Sequence, residues 1–243
     1  MIGIIDWRVA QCEALVVRFR YDTWAEVENV LEERPDVVIV ATGGLPHTEV
    51  LAEGNELVHS TWDMIGGDVR PGQNVLIYDD AGDHAGLQAA EIIAASGAKV
   101  EIMTRDRAFA PEVMAMNLVP YMRALQKHDV RFTVTYLLEV VRRAGNKLIA
   151  VIGSDYGGVR KEHIHDQIVV NHGTRPMDEL YFALQPHARN LGAVDYDGMI
   201  EGRAQTRADN PAGTFQLFRI DDAVATRNTH VAICDALRLV KDI

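Results

Sequence analysis

Short, unbroken apolar runs recur along this chain, separated by segments of helical spacing. Val37-Val38-Ile39-Val40, Val75-Leu76-Ile77-Tyr78 and Ile168-Val169-Val170 are rich in β-branched residues. Runs of this kind suit strands of a parallel sheet buried on both faces. Strands are expected at 36–41, 74–78, 99–103, 130–135, 138–143, 147–153, 159–163, 167–171 and 215–220. Residues 16–21 alternate, with Val17, Phe19 and Tyr21 on one face, and read as a further strand. Helical patterns occupy 4–14, 24–33, 87–96, 117–128 and 229–240. Thr23 and Glu26 offer a capping box to the second of these, and Gly97 suits the end of the third. Residues 45–72 read as irregular, broken by Gly54, Gly66, Gly67 and Pro71-Gly72. The strand, turn, helix and strand of 74–103 form a βαβ unit, so parallel pairing is expected. Gly145-Asn146 and Gly157-Gly158 divide the later strands into an antiparallel meander. The expected class is α/β, with a Rossmann-like dinucleotide-binding domain, a parallel sheet and an antiparallel meander.

Composition narrows the partners. The chain has 243 residues, 48% of them hydrophobic, and a net charge of −11. Length suggests one or two domains. The negative charge disfavours nucleic acid and anionic membranes. No apolar run approaches the roughly 20 residues of a membrane helix. Cys12 and Cys234 are the only cysteines; with no Cys-x-x-Cys pair, neither a redox dithiol nor a cysteine-based metal site is supported. Buried thiols and a cytoplasmic setting are expected.

The turn after Tyr78 carries the candidate nucleotide chemistry. It reads Asp79-Asp80-Ala81-Gly82-Asp83-His84-Ala85-Gly86-Leu87. In a Gly-x-Gly-x-x-Gly turn the glycines permit a tight bend, close approach to a pyrophosphate and helix-to-strand packing. Gly86 fits the packing position, but Ala81 and Asp83 stand at the first two glycine places, with Gly82 one place out of register. Asp79, Asp80 and Asp83 also place carboxylates where phosphates would lie. Each like-charge pair costs about 4 kcal/mol at ~4 Å and an effective dielectric near ~20. The acids can instead cap the helix. Thr104-Arg105, after the next strand, would suit a ribose 2′-phosphate, although a solvated loop accounts for both. Binding of NADH or NADPH is not expected.

Two strands end in similar punctuation: Ala41-Thr42-Gly43-Gly44-Leu45-Pro46, and Asn171-His172-Gly173-Thr174-Arg175-Pro176. Each is expected to close one of two stacked dinucleotide domains. Asp221-Asp222 follows a late strand, and His230 opens the last helix. Asp222 is read either as a nucleotide contact or as a turn and cap. His163 and His165 alternate on one strand and could face one side as metal ligands; surface histidines on a hairpin are the expected case, and no metal site is assigned. Trp7, Trp24 and Trp62 are expected to serve packing. No catalytic constellation is found.

The strand ending Ala-Thr-Gly-Gly-x-Pro resembles the closing strand of the flavin-nucleotide domain in two-domain flavin disulfide-reductase-like proteins. With Asp-Asp-Ala-Gly-Asp-His-Ala-Gly-Leu-Gln-Ala-Ala-Glu (79–91), Asp-Glu-Leu-Tyr-Phe-Ala-Leu (178–184) and the block 222–238, the chain resembles the C-terminal part of NADH:flavin oxidoreductases of the trimethylamine dehydrogenase type. This group includes 2,4-dienoyl-CoA reductase, histamine dehydrogenase and N-methylproline or dimethylglycine demethylases, and the acidic turn is most similar to the demethylase branch. The resemblance implies a parent with an FMN barrel and a 4Fe-4S cluster, neither of which is in this sequence. It also implies FAD or ADP held in a glutathione-reductase-like pair of domains. The implied layout is 1–70 as the tail of an FAD/ADP-binding domain, 71–185 as the NAD(P)-like domain and 186–243 as a return to the first. The opening strand and glycine turn of the first domain are missing, so a domain fragment is expected. Implied cofactor contacts are Ala41, Thr42, Gly43, Gly82, Gly86, Thr104, Arg105, Gly173, Asp222 and His230. Implied partners are the barrel and flavin domain, an electron-transfer protein and further copies in a homo-oligomer. The resemblance leaves two functions open: a nucleotide-domain portion of an amine dehydrogenase or demethylase, or a docking module with a degenerate nucleotide site.

Overall fold

The computed structural model describes every residue except Met1 and Asp242. In chain order the elements are α1 (Ile2–Ala14), α2 (Val27–Glu32), β1 (Val37–Val40), β2 (Gly44–Pro46), β3 (His59–Ser60), α3 (Thr61–Gly66), β4 (Asn74–Asp79), α4 (His84–Ala95), β5 (Lys99–Met103), α5 (Ala115–Lys127) and β6 (Arg131–Thr133). There follow β7 (Leu137–Ala144), β8 (Lys147–Gly153), β9 (Arg160–His165), β10 (Gln167–Asn171), β11 (Thr174–Pro176), α6 (Glu179–Leu184), α7 (Tyr196–Glu201), β12 (Gln216–Arg219) and α8 (Thr229–Lys241). The chain groups into two discontinuous units, one of Met1–Val40 with Glu179–Phe218, the other of Ala41–Asp178 with Arg219–Ile243.

The larger unit has three layers. Its central sheet runs β3-β10-β4-β5-β6, with every neighbouring pair parallel. Successive residues of a strand face opposite ways. Val75 and Ile77 of β4 pack with Leu87, Ala90 and Ile93 of α4 and Leu125 of α5. Leu76 and Tyr78 face the other way, onto Leu138, Val141, Leu148 and Ile152 of the meander β7-β8-β9. Asp83 caps α4 by accepting a hydrogen bond from Ala85 N at 2.8 Å, and Gly97 stops it at φ +91°. The expected βαβ unit, meander and Rossmann-like class all stand.

In the smaller unit β1 pairs with β12. Asn190, fully buried, braces β12: its Nδ2 donates to Leu217 O and its Oδ1 accepts from Leu217 N, both at 2.9 Å. Phe215, Leu217, Phe218, Leu184 and Ala188 are buried in this unit.

Several expectations are corrected. Residues 16–21 do not form a strand; Val16 takes φ +60°, and Val17, Phe19 and Tyr21 are exposed, so the alternation has no buried face. The helix expected at 24–33 starts only at Val27. Asn29 Oδ1 accepts from Glu26 N at 3.0 Å, while Thr23 donates to Tyr21 O instead of capping. The stretch 45–72 is not irregular throughout: Ser60 Oγ accepts from Asp63 N at 3.1 Å and Asp63 Oδ2 accepts from Ser60 N at 2.7 Å, a reciprocal cap that starts α3. Trp7, Trp24 and Trp62 are exposed, not packed. Cys12 and Cys234 are free and only partly buried.

Leu87 is fully buried between α4 and β4, whereas Ile92 on the same helix is 42% exposed. Leu87→Ala is expected to lower stability by about 2–5 kcal/mol in urea unfolding, and Ile92→Ala by about 0.5 kcal/mol or less.

Candidate functional site

The β4–α4 turn is closed by its own acids. Asp79 ends β4 with 2% exposure. Its Oδ1 accepts from Gly82 N at 3.0 Å and from Asn171 Nδ2 at 2.8 Å. The same Asn171 Nδ2 reaches Asp83 Oδ1 at 2.9 Å. Asn171 O accepts from Asp80 N at 2.8 Å and from Ala81 N at 3.0 Å. The N–H groups of Asp80, Ala81, Gly82 and Ala85 thus donate to the protein itself, at the helix start where a pyrophosphate would collect them.

The two glycines of the turn are fixed by different constraints. Gly82 takes φ +66°, and a Cβ there would lie 2.5 Å from Pro111 Cδ. Gly86 lies against Asp79: a Cβ would come within 2.5 Å of Oδ2. In a nucleotide-binding turn this glycine lets helix and strand pack closely. Here it makes room for a carboxylate.

Burial is the main cause that pushes the Asp79 carboxyl up to about 6, against the lowering effect of the Gly82 and Asn171 hydrogen bonds. Asp80 goes the other way, held below the ordinary carboxylate range first by its hydrogen bond to His172. His172 Nδ1 lies 3.4 Å from Asp80 Oδ2, and its ring meets Tyr78 edge-on at 5.5 Å. Burial raises the Tyr78 phenol.

Thr104 and Arg105 are engaged elsewhere. Buried Thr104 accepts from Asp106 N at 3.1 Å through Oγ1, and Arg105 pairs with Asp155 at 2.9 Å.

The two Gly-x-x-Pro segments meet each other. β2 and β11 form an antiparallel ribbon with Thr174 opposite Pro46 and Pro176 opposite Gly44. Gly43 and Gly173, just before the two strands, both take φ +74°. Each carbonyl accepts across the ribbon, Gly43 O from Met177 N and Gly173 O from His47 N, both at 3.0 Å. Ala41 and Thr42 are exposed, and Thr42 Oγ1 donates to Met177 O. A Cβ on Gly43 would meet nothing within 4 Å, so its backbone is open to an approaching group. Thr174 N donates to Thr226 Oγ1 at 2.9 Å, which joins the ribbon to the loop before α8. In that loop Asp221 takes φ +57°, the left-handed region that favours glycine, and Asp222 Oδ1 accepts from Arg227 N at 3.1 Å. His230 is exposed in the first turn of α8. The ribbon, the Asp222 loop and the start of α8 therefore adjoin.

Sequence reasoning missed Asn171 and His172 as organisers of the turn, and Glu101 beside the histidines. Asn171 had a signal, since it is a polar residue ending a wholly apolar run. His163 and His165 are corrected: they are not surface residues, His165 being 4% exposed and His163 half-buried.

Asp79 gives a pH test. Below about pH 4 it is protonated in both the folded and the unfolded chain, and above about 6 it is ionised in both. Between these limits only the folded chain keeps the proton, so its contribution to stability falls as pH rises through that window. Asp79→Asn keeps an Oδ1 acceptor for Gly82 and Asn171. It is expected to raise stability at pH 8 by about 1–3 kcal/mol and to flatten the pH 4–6 slope in urea unfolding.

No family model matches the chain. It is 67% identical, along its full length, to a probable N-methylproline demethylase of Rhizobium meliloti, covering 36% of that protein. Over 99% of the chain it is 39% identical to an N,N-dimethylglycine/sarcosine dehydrogenase of Chromohalobacter salexigens, again over 36% of that protein. Over 98% of the chain it is 34% identical to a multifunctional alkene reductase/demethylase of Caballeronia cordobensis, covering 36% of it. A 6-hydroxypseudooxynicotine amine oxidase of Pseudomonas geniculata has the same fold across 98% of the chain and 33% of its own length, at 20% identity and a TM-score of 0.74. A thioredoxin reductase of Lactococcus lactis matches 83% of the chain and 63% of its own length, at 18% identity and a TM-score of 0.58. The fold is thus that of a Rossmann-like dinucleotide-binding domain. The chain spans about a third of its curated relatives, and along its whole length it is related to a region of proteins named as demethylases and dehydrogenases of N-methylated amino acids.

Proposed function

We propose that this chain is the nucleotide-domain portion of a flavin-dependent oxidoreductase that oxidatively demethylates a small N-methylated amino acid. The identity of 67% to the demethylase, unbroken along the chain, carries the reading. In such a reaction the N-methyl carbon gives up two electrons and a proton to a flavin. Water then releases formaldehyde and the demethylated amine.

Within that enzyme the β2–β11 ribbon serves FAD or ADP. Support comes from the open backbone at Gly43, the matching φ of Gly173 and the left-handed Asp221 beside Asp222. Ala41, Thr42 and Gly43 would lie along the nucleotide, with Asp222 and His230 at its approach. The β4–α4 turn does not fit NAD(P), because Asp79, Asp83 and Asn171 already take its amide donors. Gly82, Gly86, Thr104 and Arg105 then maintain the turn and its loops, without touching cofactor. The domain would act as a nucleotide-holding scaffold for electron transfer between the flavin barrel and its acceptor.

Two measurements test this. Calorimetry of the chain with NADH and NADPH is expected to show no binding; a Kd near 1 µM, about −8.2 kcal/mol, would refute the blocked turn. A protein extending this chain to its relatives' length is expected to release one FAD or ADP on acid extraction and to yield formaldehyde from N-methylproline or dimethylglycine. An extract without an adenine nucleotide sinks the ribbon assignment; nucleotide without formaldehyde sinks the substrate class.

A further inference from the structure

Glu101 is an acid in a strand whose neighbours are apolar. It is 7% exposed, between Val100 and Ile102 on β5. Its partner on β4 is Leu76, which faces the meander, so Glu101 faces the meander too. From the other side, β9 presents His163 and His165. They pair with Ala150 and Leu148 of β8, both buried toward the sheet.

The three side chains converge. One donor atom of each lies within 4.8 Å of the other two. His163 Nδ1 is 3.7 Å from Glu101 Oε2, and the two imidazole centroids are 6.2 Å apart. Glu101 Oε1 is already held: Thr133 Oγ1 donates to it at 2.6 Å, and Arg131 Nε stands 3.8 Å away. Oε2 is the oxygen turned to the histidines.

His165 supplies an independent sign that a ligand is due. At 4% exposure, neither of its ring nitrogens has a hydrogen-bond partner among the described residues. Leaving a buried polar group unpaired costs about 1–3 kcal/mol, and such a group calls for an explanation.

We propose that Glu101, His163 and His165 bind one zinc-class divalent ion, which ties β5 of the sheet to β9 of the meander. Two imidazoles and a carboxylate are a zinc donor set, and water completes the tetrahedron. Metal–ligand bonds of about 2.0–2.2 Å put neighbouring donors about 3.4 Å apart, near the 3.7 Å already present. Thr133 anchors the carboxylate from behind, as hydrogen-bonded partners of metal ligands commonly do. The nearby charges are mixed, with Arg131 opposing a cation and Asp166, paired to Lys147, favouring one. The site does not depend on the demethylase reading.

The test uses the tag-free, chelator-treated chain, titrated with Zn2+ in calorimetry and with Co2+ in visible absorbance. One equivalent is expected to bind, with the d–d bands of a four- or five-coordinate site and a raised melting temperature. Glu101→Gln and His163→Asn are each expected to weaken binding at least about tenfold, and Thr133→Val to weaken it less. His59→Asn serves as control and should leave it unchanged. Glu101→Gln keeps the shape of the side chain and His163 is half-buried, so circular dichroism should show both variants folded. Absence of saturable binding, or binding equally tight in these two variants, overturns the proposal.

Discussion

Because β4 buries Val75 and Ile77 against α4 and α5, and Leu76 and Tyr78 against the meander, neither face of this central strand meets water. A parallel sheet depends on such cover on both sides. Here the covers are unlike: helices on one face, an antiparallel sheet on the other. A polar side chain that enters either interface loses its water, a cost that a partner inside the protein offsets. Asp79 finds such partners at the end of β4, in Gly82 and Asn171. Glu101 does so within β5, through Thr133. The candidate chemistry of this unit lies at these exceptions to an apolar frame.

The β4–α4 turn keeps the frame of a nucleotide-binding turn while its amides are engaged inside the protein. The helix, the packing glycine and the βαβ geometry are all present. The amides that would grip a phosphate donate instead to Asp79, Asp83 and Asn171. A buried carboxylate therefore occupies the place of the anion, at a cost visible in the pKa of about 6 at Asp79. Replacing one acid would not reopen the turn, because Asn171 O still takes the amides of Asp80 and Ala81.

Much of this was legible in sequence. The apolar runs at 74–78, 99–103 and 167–171 predicted three strands of the sheet, since burial on both faces leaves a continuous signal. The meander was legible because glycines mark its turns. Residues 16–21 misled because alternation records amphipathicity, not the presence of a partner strand. α3 was hidden because Ser60 and Asp63 make a short cap within a run that reads as a loop. Turn composition showed three acids in the turn, and in the fold two of them, Asp79 and Asp83, accept from its amides. Its place at the end of an apolar run marked Asn171, but its partners were not legible, because they are set by parallel pairing between strands 88 residues or more apart in sequence.

The paired glycine motifs show the same division. Sequence gave the likeness of Gly43-Gly44-Leu45-Pro46 to Gly173-Thr174-Arg175-Pro176 and suggested two domain ends. In the fold these ends pair with each other, with equal φ at Gly43 and Gly173 and reciprocal backbone hydrogen bonds. Close approach explains Gly44, whose Cβ would lie 2.8 Å from Arg175 O. Gly43 has no such neighbour, so packing within the unit does not demand it; its conformation and open face do. A residue whose surroundings leave room, held in a backbone state only glycine takes freely, is where an outside group can come close. The ribbon thus separates a glycine that serves the fold from one available to a ligand, a distinction that spacing alone cannot draw.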